Sequence, residues 1–206
     1  MEVINDILAY EKLKIYQNPS MFQFSLDSVL LPNFVTLNKN IKRILDIGTG
    51  NAIIPIILST KTPAKITAVE LQKEVYLLAE KSIKLNNLEN QIELINDDIK
   101  NYYLNQETET FDVITCNPPY FKVNKDSHFN KSDYKTIARH EVALNLDDIM
   151  KIAVKLLKNK GIIAIVHRPE RMIDIIQSMK KYNIEPKKIR FVHPNKNKEA
   201  NIIIIE

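Results

Sequence analysis

Asn117, Pro118, Pro119 and Tyr120 follow the run Phe111, Asp112, Val113, Ile114, Thr115, Cys116, which reads as a buried strand. An Asn-Pro-Pro-Tyr turn at a strand end is a grip for a planar amino group. The Asn amide oxygen and the first proline's carbonyl can each accept one hydrogen of an exocyclic NH2, while two consecutive prolines remove competing backbone donors and fix φ. The tyrosine ring can stack on a π-system held against that amide. The plainer alternative is a turn that merely ends the strand, since Asn and Pro are common turn formers.

A second constellation lies well upstream, where Ile44, Leu45, Asp46, Ile47 lead into Gly48, Thr49, Gly50, Asn51, Ala52 and then the apolar residues 53–58. The order is strand, glycine turn, helix. Glycines let backbone approach a ligand, and the helix N-terminus turns free N–H groups toward it. Dinucleotide spacing wants a glycine three residues after Gly50, but Ile53 stands there, which weakens a pyrophosphate cradle. Asp46 would repel phosphates and suits a cation such as the ammonium of an amino-acid moiety. A second strand, residues 65–69, ends in Glu70, whose carboxylate can accept both hydroxyls of a ribose. A third apolar run, residues 92–95, is followed by Asn96, Asp97 and Asp98, where an adenine amino group could be met. Each acid alone could be a solvated loop charge. Three acids after three successive strands line one rim of a parallel sheet, where ligands of open α/β sheets bind.

The set Asp46-x-Gly48-x-Gly50, Glu70, Asp98 and Asn117 to Tyr120 resembles the class I S-adenosylmethionine-dependent methyltransferases that act on exocyclic or amide nitrogens. The run Phe22-Gln-Phe-Ser-Leu-Asp-Ser-Val-Leu-Leu31 is similar to the entry segment of bacterial tRNA adenine-N6 methyltransferases, as are Ala138, Arg139, His140, Glu141, then His193, Pro194 and Asn197 to Asn201. The resemblance covers nearly the whole chain. It implies S-adenosyl-L-methionine as cofactor, held by Asp46, Gly48, Gly50, Glu70, Asp97 or Asp98 and Asn117. It implies tRNA as partner, with Asn117, Pro118, Pro119 and Tyr120 catalytic and the target adenine beside the anticodon. Two departures stand out. Ala52 takes the place of a third glycine, with a modest expected loss of backbone latitude. The chain stops at Glu206 where relatives run on through a Gly- and Lys-containing tail, so weaker or different tRNA recruitment is expected.

With 206 residues and 45% hydrophobic content, one domain is the expectation: residues 1–40 as cap and entry segment, residues 41–206 as a Rossmann-like core. No apolar run reaches membrane-spanning length and the N-terminal residues lack a secretory pattern, so a cytoplasmic protein is expected. A lone Cys116 fits a reducing compartment and reads as packing; four His and one Cys without metal spacing argue against a metal. A net charge of +4 permits nucleic-acid binding. Lys122, Lys125, Lys131, Lys135 and Arg139, interleaved with Phe121, Phe129 and Tyr134, follow the Asn-Pro-Pro-Tyr turn. Cations and aromatics there could hold phosphates and stack bases, with Lys122, Lys125, Arg139 and His140 the substrate-binding candidates; a solvated loop is the alternative. Lys187, Lys188, Arg190, Lys196 and Lys198 form a second basic group.

Helices are expected over residues 71–85, 146–157 and 170–182, a strand over 162–166, and an antiparallel hairpin from 189–192 and 202–205. Strand and helix alternation gives an α/β fold: a Rossmann-like, seven-stranded, mostly parallel sheet with a C-terminal antiparallel hairpin and helices on both faces. The resemblance adds one reversed edge strand. Residues 1–18 are expected to form a small cap over the sheet. The same turn also suits methylation of protein glutamine, rRNA guanine N2 or DNA adenine, and a non-catalytic RNA-binding module or a nicotinamide dehydrogenase are readings from other classes. Either a monomer or a homodimer is compatible with this sequence.

Overall fold

The computed structural model describes residues 2–21, 26–118, 120 and 144–206. Among them, seven strands form one sheet: β3 (Arg43–Ile47), β4 (Lys65–Glu70), β5 (Ile92–Asn96), β6 (Phe111–Cys116), β7 (Leu157–His167), β8 (Ile189–Val192) and β9 (Ile202–Ile205), in the order β5-β4-β3-β6-β7-β9-β8. The first five in that order are mutually parallel, and β9 runs antiparallel to both β7 and β8. The expected Rossmann-like α/β sheet with its C-terminal hairpin is therefore present. The reversed strand, however, is not at the edge. All four isoleucines of β9 are buried whereas β8 is mostly exposed, so β9 inserts beside β7 and leaves β8 as the rim.

Successive strand residues feed opposite faces, as a period of two requires. Ile44, Ile66, Ala68 and Val113 pack under α1 (Leu26–Phe34), α2 (Ile53–Ser59) and α3 (Lys73–Leu85). Leu45, Ile47, Val69 and Ile114 pack on the other side, against α4 (Ile99–Tyr102), α5 (Leu146–Leu156) and α6 (Met172–Lys181). The helices show why they dock. In α3 the buried positions are Val75, Leu78, Ala79, Ser82 and Ile83, one face of a 3.6-residue repeat. A capping box between Asn145 and Asp148 starts α5.

Residues 1–18 were expected over the sheet; instead β1 (Val3–Ile7) and β2 (Tyr10–Gln17) make a separate antiparallel hairpin that docks on helices. Tyr16 N donates to Ser82 Oγ at 2.9 Å, and Asn86 exchanges hydrogen bonds with Lys14 N and O. The polar alternation of β2 leaves too little apolar surface to cover a sheet face. Three other boundaries differ slightly. A 3-10 turn, Pro169–Arg171, precedes α6, and α3 begins at Lys73. The strand expected over 162–166 starts at Leu157, because the polar stretch Lys158, Asn159, Lys160 is an irregularity within it, with Lys160 at φ 64°.

Gly161 lets that irregularity close. A Cβ there would stand 2.8 Å from the Lys158 carbonyl oxygen and 3.0 Å from Leu157 Cδ2. Gly161→Ala is expected to cost roughly 1–3 kcal/mol, read as a lower urea midpoint with unchanged slope; an unshifted midpoint would contradict this close approach.

Candidate active site

The parallel order brings the C-terminal ends of β5, β4, β3 and β6 to one rim. After β3 the chain turns through Gly48 at φ 65° and Gly50 at φ 58°, and α2 begins after Ala52 at φ 63°. Ala52 therefore adopts the left-handed conformation a glycine would take freely, at a strain of roughly 1 kcal/mol. The turn is tied to β4: Thr49 N donates to the Val69 carbonyl at 3.0 Å and Gly50 N to Glu70 Oε2 at 2.9 Å. A Cβ built on Gly48 or Gly50 would meet nothing within 4 Å, so the space above the turn is open.

Asp46 lies beneath this opening, fully buried. Its Oδ1 accepts from Thr115 Oγ1 at 2.6 Å, and its Oδ2 has no hydrogen-bond partner among the described residues. Burial pushes its pKa up to about 7, against the hydrogen bond from Thr115, which lowers it. The Thr49 hydroxyl also favours the ionised form, yet its geometry makes no hydrogen bond. Glu70 is 5% exposed; Oε2 takes Gly50 N and Oε1 takes Gln72 N at 2.8 Å, leaving each oxygen one further lone pair. Burial raises its pKa too, opposed by these backbone donors. Asn96 ties the end of β5 to β4 by donating to the Glu70 carbonyl at 2.9 Å. Asp97 Oδ1 accepts from Asp98 N at 2.7 Å, while Asp98 Oδ1 caps α4 by accepting from Lys100 N at 2.8 Å. Asp98 is thus partly committed to a helix end.

Beside the glycine turn stands Asn117. Ile47 pairs with Cys116 across β3 and β6, so the glycine turn and Asn117 leave the paired ends of two neighbouring strands. Its Nδ2 donates to Ser28 Oγ at 3.0 Å and its Oδ1 accepts from the Tyr120 hydroxyl at 2.8 Å. That hydroxyl also bonds to Asp27 Oδ2. The Tyr120 ring lies 5.0 Å from the His167 ring, tilted by 44°, with the Arg168 guanidinium 5.4 Å above it. Burial, then the Asp27 charge, raises the Tyr120 pKa. His167 is fully buried; burial and the charges of Arg171 and Arg168 lower its pKa to about 3, so it is neutral. Arg168 N donates to its Nδ1 at 2.8 Å, which puts the ring proton on Nε2.

The structure thus brings together Asp46, Gly48, Gly50, Glu70, Asn117 and Tyr120, with Asp97 and Asp98 on the same rim and Pro118 buried beside Asn117. Pro119, Lys122, Lys125, Arg139 and His140 lie outside the described residues. Lys188 and Arg190 of the second basic group bracket the Phe34 ring at 4.1 and 5.0 Å. Cys116 is buried, its thiol pKa raised by that burial, as a packing residue's would be. Sequence reading gave Asp27 and Ser28 only as part of the entry segment, with no role at the site, and did not single out His167 and Arg168. Asp27 and Ser28 were legible as polar residues inside an apolar run, and His167 as a polar residue closing an apolar strand. Arg168 Nη1 donates to the Asn201 carbonyl at 3.0 Å, which links the 197–201 segment to Tyr120. Among the described residues no cluster of His, Cys, Asp or Glu could hold a metal, and no helix is long and apolar enough to cross a membrane.

Residues 13–184 match the family model described as the methyltransferase small domain. The chain belongs to that family. Among curated proteins this methyltransferase is 26% identical over 202 residues to the tRNA1(Val) (adenine(37)-N6)-methyltransferase of Parabacteroides distasonis, covering 98% of this chain and 83% of the relative. It is 30% identical over 162 residues to the protein of the same description from Shewanella halifaxensis, covering 78% and 63%. A SAM-dependent methyltransferase from Aquifex aeolicus superposes with a TM-score of 0.61 at 14% identity, covering 87% of both chains. P. horikoshii TYW2, solved in complex with MeSAdo, gives 0.65 at 14% identity, covering 94% and 66%. These likenesses fix the methyltransferase fold.

The state of Asp46 yields a pH dependence. Between about pH 4 and about pH 7 the unfolded carboxyl has lost its proton while the folded one keeps it, so stability falls as pH rises through that window. A cationic ligand at Oδ2 requires the ionised form. Affinity for S-adenosylhomocysteine is expected to rise from about pH 6 to about pH 7.5 with release of a proton, measured by titration calorimetry in buffers of different ionisation enthalpy. Asp46→Asn should weaken binding and flatten the profile; an unchanged slope would rule out Asp46 as the titrating group.

Proposed function

We propose that this methyltransferase uses S-adenosyl-L-methionine to methylate the exocyclic N6 of an adenine in tRNA, beside the anticodon; the curated relatives are described as tRNA1(Val) (adenine(37)-N6)-methyltransferases. The observation that carries the reading is adjacency: Asn117 and the glycine turn leave the paired ends of neighbouring strands β6 and β3, and the turn follows a buried carboxylate with one oxygen unpartnered among the described residues. Residues 1–206 act in this reading as one methyltransferase domain, residues 1–40 forming the hairpin and entry segment on the core of residues 41–206. A tRNA substrate places the enzyme in the cytoplasm.

The residues fit the cofactor. The orphaned Asp46 Oδ2 suits its ammonium, the open space over Gly48 and Gly50 admits its body, the spare lone pairs of Glu70 suit the ribose hydroxyls, and Asp97 or Asp98 suits the adenine amino group. When bound, the cofactor supplies an electrophilic methyl group. Asn117 Oδ1 and the Pro118 carbonyl accept the two N6 hydrogens of the target base, which opposes conjugation of the nitrogen lone pair into the ring and aims it for in-line displacement. The Tyr120 ring, already packed by His167 and Arg168, offers its remaining surface to the base. An adenine in a single-stranded loop costs less to turn out than a paired one. Lys122, Lys125, Arg139 and His140 are assigned to the RNA in the same reading.

Incubating the protein with radiolabelled methyl donor and bulk unmodified tRNA, followed by digestion, should yield labelled N6-methyladenosine. N1-methyladenosine, whose acceptor nitrogen carries no amine hydrogens, would exclude this grip. Asn117→Ala should lower turnover by at least about a hundredfold while S-adenosylhomocysteine affinity stays within about threefold; lost affinity with retained turnover would reverse the assignment.

A further inference from the structure

Asp27 and Ser28 of α1 are each 6% exposed, within an apolar run where a buried carboxylate or hydroxyl is costly unless paired. Both find partners on the catalytic turn, about ninety residues away in sequence. Ser28 Oγ accepts from Asn117 Nδ2 at 3.0 Å, the Tyr120 hydroxyl lies 2.8 Å from Asn117 Oδ1, and that hydroxyl bonds to Asp27 Oδ2. A primary carboxamide exchanges its donor and acceptor by a half turn about one bond. An amine substrate needs the oxygen, so whatever fixes the carboxamide's facing governs the grip.

Building on the proposed reaction, we infer that Asp27 and Ser28 are positioning residues for methyl transfer: Ser28 holds the nitrogen end of the Asn117 carboxamide, and Asp27 anchors the Tyr120 hydroxyl that lies against its oxygen end. The second lone pair of Oδ1 then remains for the substrate amine. Tyr120 makes the link because its hydroxyl has one proton and two oxygen neighbours. It serves Asp27 or Asn117 at one time, not both. Asp27 thereby keeps that hydroxyl in place without touching the carboxamide, and Ser28, accepting from Nδ2, leaves Oδ1 on the Tyr120 side. A role confined to docking α1 on the sheet would have a different signature, since α1 also carries the buried Val29, Leu31 and Phe34.

The test uses the full chain and compares Ser28→Ala, Ser28→Thr, Asp27→Ala, Tyr120→Phe and the Asp27→Ala/Tyr120→Phe pair. Ser28→Ala and Asp27→Ala should each lower kcat by roughly ten- to a hundredfold, with KM for the methyl donor and S-adenosylhomocysteine affinity within about threefold. Ser28→Thr, which keeps the hydroxyl, should recover most of the rate. Because Asp27→Ala and Tyr120→Phe break one shared hydrogen bond, the double variant should be no slower than the slower single variant. Cofactor affinity and thermal midpoint falling in step with kcat, or additive losses in the pair, would overturn the inference. If the wild-type protein moves no methyl group to tRNA, the function reading fails by itself. The Asn117 side-chain NH2 then reports directly by nitrogen-15 NMR: its hydrogen exchange should speed up at least about tenfold in Ser28→Ala, and unchanged exchange would overturn the positioning.

Discussion

A carboxylate removed wholly from water with one oxygen unpartnered is the costly interaction on which this site depends. Asp46 is held there by β3 among the buried Ile44, Leu45 and Ile47, and among the described residues its hydrogen bond comes from Thr115 on the neighbouring β6. Folding alone does not satisfy it. A cation would, and a proton does so meanwhile, which is why its pKa rises to about 7. Glu70 is a second buried acid one strand over, with the backbone N–H groups of Gly50 and Gln72 in place of the threonine.

The rest of the architecture keeps these acids beside the amine grip. Parallel pairing of β3 with β4 and β6 aligns three strand ends, and the covering helices on both faces bury the strands deeply enough to exclude water. The N-terminal hairpin closes on the same turn: Asn51 Nδ2 donates to the Tyr16 carbonyl at 2.8 Å. From the other side, α1 reaches Asn117 and Tyr120, and β7 supplies His167 and Arg168 beneath the tyrosine ring. Residues from α1 and from the end of β7 thus converge on one carboxamide and its tyrosine.

What the sequence made legible was local. Strand, glycine turn and helix are contiguous, and Asp46, Glu70, Asp97 and Asn117 each follow an apolar run, so period and punctuation place them at strand ends. The hairpin of β8 and β9 was legible for the same reason. Non-local features were not. Nothing in the residues near Ile202 says that β9 pairs on both edges, so the reversed strand was expected at the rim rather than one place inside it. Asp27 and Ser28 were visible as part of a familiar segment, but their hydrogen bonds cross about ninety residues of chain. Ala52 was legible through the resemblance alone, which puts a glycine at its place, and its φ of 63° is the conformation a glycine takes freely.

The central claim is that Asp46 and Glu70 are completed by the ammonium and ribose of the methyl donor beside Asn117. A crystal structure of the protein with S-adenosylhomocysteine tests it most directly. The account predicts the amino-acid nitrogen hydrogen-bonded to Asp46 Oδ2, the ribose hydroxyls on Glu70, and the sulfur facing Asn117. A nucleoside seated elsewhere, with Asp46 Oδ2 still without a partner, would contradict it.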